Sequence, residues 1–504
     1  MLASPHQLST TMRLSALLEG WAAIIDRDER VISGLTLDSR RVLPGNCFFA
    51  LGNEATRSAE HIVEAVALGA AAVVTDVASH LDAPVSIPIV RIPELTGKLG
   101  PIAARYFGRP SESLAVMAVT GTNGKTTVAH SCAQALSQCG RHCGYLGTLG
   151  AGPLEALAPT GMTTPDPITL QRTLAAMFAD GCDSVAVEAS SHALAQCRLA
   201  GTQVDVGVFT GLGHDHLDYH GDLAAYAAAK RRLFELPGLA HAILNADDPQ
   251  SRIYLKTLSS QIEVWQYSLR TARELNAATH YLAVRQAQYR ADGTTLDVES
   301  SAGNFVLATK LVGDFNAQNL LATLGILLAF EIPLAAACIA VESVVPVCGR
   351  LEVFGGRVGQ PQVYVDYAHS PDSLERVLRL LRSFNPARLI CVFGCGGERD
   401  RSKRPLMGAM AARYADQIVV TADNPRSEDQ TMISAEILKG ITDSDKVSVV
   451  ADRTSAITQA LATATAGDIV LIAGKGHETF QEIGAERVPL SDQAIVSRLL
   501  TALP

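Results

Sequence analysis

Short apolar runs, rich in β-branched residues, recur along this chain and alternate with longer stretches of helical spacing. In the middle of the chain such runs predict strands from Val116 onward and at 184–187, 204–209 and 242–244, with helical segments between them. That alternation is the signature of a parallel sheet with crossover helices. A second set, at 363–365, 389–393, 417–421 and 469–472, predicts another doubly wound sheet. Ahead of both, strand-like and helical patterns alternate from residue 35 to about residue 74. The polar stretch before Met12 predicts a disordered extension, and Gly108-Arg109-Pro110 predicts a linker. A helical segment holding Asn316 and Asn319 closes the middle part, and 332–348 leads out of it.

The junction after the first central strand carries the most chemistry. Residues 116–127 read V-M-A-V-T-G-T-N-G-K-T-T, an apolar run entering a glycine loop and then a helix start. Gly121 and Gly124 let backbone N–H groups close round an anion, and Lys125 reaches the outer phosphates. Thr126 stands where such a loop offers its hydroxyl to Mg²⁺. Val119 replaces the first glycine of the full G-x-x-x-x-G-K pattern, so a chance G-K-T-T is the competing reading. The flanking strand and helix favour an ATP-using protein.

Length and composition narrow the class. The 504 residues exceed a single core and suggest about three domains. A net charge of −9, spread along the chain, lacks the clustered basic face of a nucleic-acid binder. Ten cysteines occur without any C-x-x-C pair, so neither a zinc ribbon nor a thioredoxin-type site is indicated, and most, in apolar surroundings, read as small buried side chains in a reducing compartment. No signal-peptide pattern opens the chain, and the longest apolar segment, 320–330, is shorter than the roughly 20 residues of a membrane span. A cytoplasmic protein is expected.

Other polar groups follow the predicted strands, where α/β sheets place ligands. Glu188 ends one strand and suits Mg²⁺, although a helix cap is the plainer alternative. Residues 209–221 read F-T-G-L-G-H-D-H-L-D-Y-H-G, with His216 as a candidate ligand of zinc or of a metal–phosphate site. Lys230 reads, on its own, as a solvated helix lysine. Asp366 ends a C-terminal strand in a position to hold ribose or adenine. The loop G-C-G-G-E-R-D-R-S-K-R-P, with Arg399, the turn Asp423-Asn424-Pro425-Arg426, and Gly474-Lys475-Gly476-His477-Glu478 follow further strands. Arg399 and Arg426 suit a carboxylate and Glu478 an ammonium, as a zwitterionic amino acid requires. Solvated loop charge is the alternative.

With these motifs in order, the chain resembles the Mur ligases, in the MurE branch that extends UDP-N-acetylmuramoyl-L-alanyl-D-glutamate in peptidoglycan synthesis. The resemblance runs from about Thr36 to Asp492 and includes T-T-P-D-P, E-A-S-S-H-A-L, D-H-L-D-Y-H-G, N-A-Q-N, C-G-R-L-E, V-D-Y-A-H, D-N-P-R and G-K-G-H-E. It implies three α/β domains: a UDP-binding unit (12–110), a central parallel-sheet, phosphate-loop ATP unit (111–346) and a C-terminal Rossmann-like unit (347–504). It also implies ATP and UDP-muramoyl-dipeptide as small-molecule substrates, Mg²⁺, and a monomer that neither inserts in membranes nor binds nucleic acid. Gly121, Thr122, Asn123, Gly124, Lys125, Thr126, Thr127, Asn319, Arg350 and Asp366 would bind ATP. Leu37, Ser39, Asn53, Glu54, Ala55, Thr163, Thr164, Ser190, Gln196 and Arg198 would bind the UDP-muramoyl-dipeptide. Lys230 falls at the family's carbamylated lysine, so its implied role becomes that of a metal ligand. Thr126, Glu188, His216 and carbamylated Lys230 would hold magnesium, and Lys125, Glu188, His216 and Lys230 would be catalytic.

D-N-P-R is the form similar to enzymes that add meso-2,6-diaminopimelate rather than lysine. The far carboxylate of that amino acid gives Arg426 a partner, and an arginine left buried and unpaired would cost roughly 2–5 kcal/mol. Arg399, Asp423, Asn424, Pro425, Gly474 and Glu478 would complete the pocket. Two positions depart from the family's usual residues, Gly211 for Asn and His214 for Arg, and 53–62 lacks the Asp-Gly-His-like signature. The competing enzyme reading is a lysine-adding or folylpolyglutamate synthase-like ligase, and the non-enzyme reading an ATP-binding sensor.

Overall fold

The computed structural model of the chain describes residues 10–52, 55–76, 86–275 and 280–501. Three α/β units follow one another, each built on its own sheet. The first sheet is parallel, in the order Gly34–Thr36, Asn46–Ala50, Ala72–Thr75, Ile89–Arg91. Asn46–Ala50 is buried throughout, and its two-residue period sends Cys47 and Phe49 to one core and Phe48 and Ala50 to the other. The expected extension before Met12 lies largely outside the described residues. Met12–Arg13 itself pairs with Val31–Ile32.

The central sheet has ten strands. Its parallel part runs Cys143–Gly147, Ser184–Glu188, Ala115–Thr120, Val206–Phe209, His241–Asn245, Glu263–Ser268 and His280–Arg290. Antiparallel partners close it at both ends. In the register Glu188 faces Val119, so the strand that ends in a carboxylate lies directly beside the one that feeds the phosphate loop. Met117 and Val119 pack toward the helices Lys125–Gln138 and Asp314–Ala329, while Val116 and Ala118 pack on the opposite face.

The C-terminal sheet is ordered Glu352–Gly355, Gln362–Asp366, Ile469–Ala473, Leu389–Phe393, Gln417–Val420, Val447–Val449, parallel except for its first strand. Leu389, Cys391 and Phe393 join one core and Ile390 and Val392 the other, so helices cover both faces as a doubly wound sheet requires. A separate hairpin, Phe480–Ile483 with Glu486–Pro489, follows the last of these strands.

The units touch through specific residues. Ile168, at the start of the central helix Pro167–Ala179, joins the core of the N-terminal unit. Val312 and Phe315 pack into the C-terminal core. Within the central unit, Gln134 Nε2 donates to Val345 O (3.2 Å), and Val345 N donates to Gln134 Oε1 (2.9 Å). All ten cysteines are free thiols. No described helix is long and apolar enough to cross a membrane.

Candidate active site

The phosphate loop owes its shape to two glycines in the left-handed half of backbone space, Gly121 at φ +153° and Gly124 at φ +85°. A Cβ on Gly121 would lie 1.9 Å from Thr210 Oγ1, and one on Gly124 would lie 2.5 Å from Asn319 Oδ1. Gly124 then caps the helix Lys125–Gln138, whose free N–H groups and positive dipole end point into the loop. Lys125 Nζ donates to the carbonyls of Gly121 (2.9 Å) and Thr122 (3.0 Å). Burial pushes its pKa down, opposed by the charges of Glu188 and Asp215.

Glu188 sits at the hub. Its Oε2 accepts from Thr126 Oγ1 (2.9 Å) and Thr148 Oγ1 (3.2 Å). Its Oε1 accepts from Thr148 N (2.9 Å) and from the Tyr145 hydroxyl. Arg350 reaches across from the C-terminal unit, with Nη2 donating to Thr126 Oγ1 (3.2 Å) and the guanidinium 4.5 Å from the centre of the Tyr367 ring. Asp366 accepts from Leu351 N (2.8 Å) and Ala368 N (2.7 Å), and burial raises its pKa. A cavity of about 380 Å³ between the two units is lined by Thr122, Asn123, Gly124, Thr127, Asn319, Arg350 and Asp366. Gly211 lines it too, and His214 N donates to Asp372 Oδ2 (3.2 Å) on the seam.

On the other side of the loop lies Lys230, near the end of the helix Leu223–Arg231 and only 1% exposed. It is not the solvated lysine its local sequence suggests. Its Nζ donates to Gly121 O (2.8 Å) and stands 4.3 Å from the centre of the Tyr226 ring. Burial, helped by the charge of Lys125, pulls its pKa well below that of an ordinary lysine. His216 approaches the same Tyr226 ring, with centroids 6.3 Å apart. It holds a left-handed φ of +54°, uncommon for a residue with a side chain. Desolvation lowers its pKa while the charge of Asp215, 3.5 Å away, opposes the shift, and the ring stays 45% exposed.

Thr126 and Glu188 bring together a hydroxyl and a carboxylate of the kind a hard divalent cation takes, and His216 offers an imidazole beside Tyr226 on the Lys230 side of the loop. Among the described residues no group of three or more His, Cys, Asp or Glu side chains converges tightly enough to chelate a metal unaided.

The residues expected to hold the muramoyl-peptide side converge on the same hub. Thr164 Oγ1 donates to Glu188 O (2.5 Å) and lies 3.3 Å from Ser190 Oγ. Thr163 Oγ1 and Thr148 Oγ1 are 3.1 Å apart. Arg198 donates to Gln196 Oε1 (2.6 and 2.9 Å) and to Thr164 O (2.6 Å). Leu37 and Ser39 belong to the N-terminal unit, with Leu37 against its core and Ser39 buried. Asn53 and Glu54 lie outside the described residues, and Ala55 begins the helix Ala55–Ala67.

The expected amino-acid pocket gathers behind the strand ends Asp366, Val420 and Ala473. Gly474 N donates to Asp366 O (3.1 Å), and a Cβ on Gly474 would lie 2.5 Å from Asp423 Oδ2. Asn424 Nδ2 donates to Glu478 Oε2 (2.8 Å). Arg399 and Arg426 both approach Gly396. Pro425 precedes Arg426 in this turn, and Arg426 has a left-handed φ of +52°. The charges of Arg426 and Glu478 are already paired, which corrects the expectation of an Arg426 left bare by lysine. Arg426 Nε lies 3.0 Å from Glu482 Oε2, and its Nη1 donates to Gly397 O (2.7 Å). Glu478 is met by fully buried Lys475, with Nζ 2.6 Å from Oε2. Lys475 and Glu482 were not anticipated as pocket residues, nor were Tyr145 and Thr148. Thr148 follows the end of the strand Cys143–Gly147, so the strand-end rule would have found it had that glycine-bearing strand been recognised.

The chain matches the model of the Mur ligase middle domain over residues 119–327 and that of the Mur ligase glutamate ligase domain over 349–476. It is 43% identical over 473 residues, 94% of this chain and 96% of the relative, to the UDP-N-acetylmuramoyl-L-alanyl-D-glutamate–2,6-diaminopimelate ligase of Pseudomonas aeruginosa. An enzyme of the same name from an Acidovorax species is 44% identical, covering 92% of this chain and 94% of the relative. A solved structure of a ligase of that name superposes with a TM-score of 0.70 at 36% identity, covering 98% of this chain and 99% of the other. The chain therefore belongs to the Mur ligase family.

Proposed function

We propose that this enzyme uses ATP to join meso-2,6-diaminopimelate to UDP-N-acetylmuramoyl-L-alanyl-D-glutamate, a step of peptidoglycan synthesis. The observation that carries the reading is one hub, Glu188 with Thr126, shared by the phosphate loop, the Thr163–Thr164 and Ser190–Arg198 cluster, and an arginine from the unit that holds the charged pocket. ATP would occupy the cavity between the central and C-terminal units. The glutamate carboxylate of the nucleotide substrate attacks the γ-phosphorus, ADP leaves, and an acyl phosphate forms. The amine of the incoming amino acid then attacks the acyl carbon, phosphate departs, and the amine loses a proton as the amide forms.

The chain's own residues hold and polarise these groups. Loop N–H groups and Lys125 surround the transferring phosphoryl group, where preorganised charge lowers the barrier. Arg350 joins them when the C-terminal unit is seated, so the site is complete only with that unit closed on the central one. The depressed basicity of Lys230 leaves an uncharged amine whose lone pair can add CO₂. Thr126 and Glu188 would hold one Mg²⁺, and His216 with carbamylated Lys230 a second. Bound magnesium would supply charge neutralisation at the phosphoryl oxygens. The units would correspond to 12–110, 111–346 and 347–504, working in the cytoplasm as a monomer. The test is phosphate release with ATP and UDP-N-acetylmuramoyl-L-alanyl-D-glutamate, comparing meso-diaminopimelate with L-lysine. Saturable release with the first is expected, and release with lysine alone would overturn the assignment.

A further inference from the structure

The hairpin Phe480–Ile483/Glu486–Pro489 lies beyond the motif residues, yet it grips the whole turn Asp423–Arg426. Gln481 Nε2 donates to Asp423 O (2.6 Å), and Glu482 N donates to Asn424 Oδ1 (3.0 Å). Arg426 N donates to Glu482 O (3.0 Å), and Gly484 N donates to Arg426 O (2.8 Å). These bonds hold Arg426 in its left-handed conformation as an added strand position against Ile483. One side-chain contact completes the grip, from Arg426 Nε to Glu482 Oε2 at 3.0 Å.

Building on the diaminopimelate reading, we propose that Glu482 is a positioning residue that sets amino-acid specificity by fixing the orientation of the Arg426 guanidinium. The Glu482 carboxylate holds the guanidinium by charge, 3.0 Å from Nε, and Gly397 O accepts from Nη1 (2.7 Å), so two contacts restrict the rotation of the guanidinium. Among the described residues Nη2 makes no hydrogen bond, and a planar fork held this way meets a carboxylate in one orientation. Without Glu482 the guanidinium rotates about its remaining anchor, and the distal carboxylate of the amino acid loses its aligned partner. Glu482 also carries Arg487 at 3.2 Å, so the hairpin's own second strand steadies the carboxylate.

The test compares the intact wild-type enzyme with Glu482→Gln, Arg426→Ala and the double variant, in phosphate-release assays with saturating ATP and UDP-muramoyl-dipeptide. Glu482→Gln keeps the side chain's size and leaves the backbone bonds of the hairpin in place, so the hairpin stays folded, but it removes the charge that holds the guanidinium. It is expected to raise the KM for meso-diaminopimelate about tenfold while leaving kcat and the KM for ATP in place. The ratio of kcat/KM for diaminopimelate over lysine should fall by the same factor. In the Arg426→Ala background Glu482→Gln should change that ratio no further, because the two side chains act as a unit. An unchanged ratio in the single variant, or an equal loss in both backgrounds, overturns the proposal. A wild-type enzyme inactive with diaminopimelate would instead bring down the functional reading, and the proposal with it.

Discussion

Replacing Lys230 with methionine separates the chemistry of this side chain from its packing. The amine gives up one hydrogen bond, 2.8 Å to Gly121 O, worth about 1 kcal/mol net. It also gives up its place 4.3 Å from the Tyr226 ring. Against these losses stands the cost of keeping an amine buried, the same cost that depresses its basicity. Gly121 O retains Lys125 Nζ as a donor at 2.9 Å, so no buried carbonyl is orphaned. Methionine matches the volume, and the terms oppose one another, so stability should change by less than about 1.5 kcal/mol. Turnover should not survive so well. If the amine carries CO₂ and helps hold charge against the phosphoryl group, its loss should lower kcat by about 10²–10³-fold. Phosphate release gives kcat, and urea unfolding gives stability. A variant that keeps kcat within about threefold of wild type, a barrier change under 1 kcal/mol, would refute the carbamate role. So would unfolding of the variant well beyond the stated bound, which would make Lys230 a packing residue.

Three further outcomes are expected. Arg426→Ala should raise the KM for diaminopimelate by about 10–100-fold without moving the KM for ATP, since a carboxylate partner is lost only in the amino-acid pocket; steady-state kinetics with each substrate varied in turn checks this. Asp492→Ala should cost about 3–5 kcal/mol in urea unfolding, because it strands Arg453, fully buried and paired at 2.7 Å with that carboxylate. His130, half-buried against Tyr145 with its ring nitrogen 2.8 Å from Gln134 Nε2, has a pKa lowered to about 4 by desolvation. Its folded value lies below its unfolded one, so the associated stability is present above about pH 6.5 and is lost as pH falls toward 4. His130→Gln should flatten that loss by roughly 2 kcal/mol at pH 5, and parallel stability profiles for the two proteins would disprove it.

The parallel strands that carry function were legible because they are buried on both faces and read as unbroken apolar runs ending in polar motifs. Ser184–Glu188 and Leu389–Phe393 are of this kind. Cys143–Gly147 is equally buried, but its two glycines hide the run, and with it Tyr145 and Thr148 on Glu188. Glu263–Ser268 and the strands 280–309 carry polar residues in their apolar pattern, and they lie at the sheet's margin, where less of each strand is buried. Lys230 shows the limit of local reading most plainly. An alanine-rich helix end predicts a solvated lysine, and only the packing of that helix beneath the phosphate loop buries it. Glu482 was illegible for the same reason. Its partner stands 56 positions away in sequence, and nothing near it announces a pocket.

The prepaired charges of the amino-acid pocket change how its selectivity must be understood. An arginine with no partner would reject lysine by its full desolvation cost. Arg426 instead keeps Glu482 and Gly397 O whatever binds, and both members of the ion pair remain roughly a fifth to a quarter exposed. Glu478 likewise keeps Lys475 and Asn424. Lysine then strands no charge, and the difference between the two amino acids reduces to what the distal carboxylate adds at the unshared edge of one guanidinium. A charge-assisted hydrogen bond of that kind contributes about 1.5–3 kcal/mol, a preference of roughly 10–150-fold. Because the Arg426–Glu482 and Lys475–Glu478 pairs cancel their own charge, much of that preference depends on alignment. Selectivity should therefore be more sensitive to residues that aim Arg426 than to ionic strength. A preference for diaminopimelate over lysine that collapsed in moderate salt, with Glu482 intact, would contradict this account.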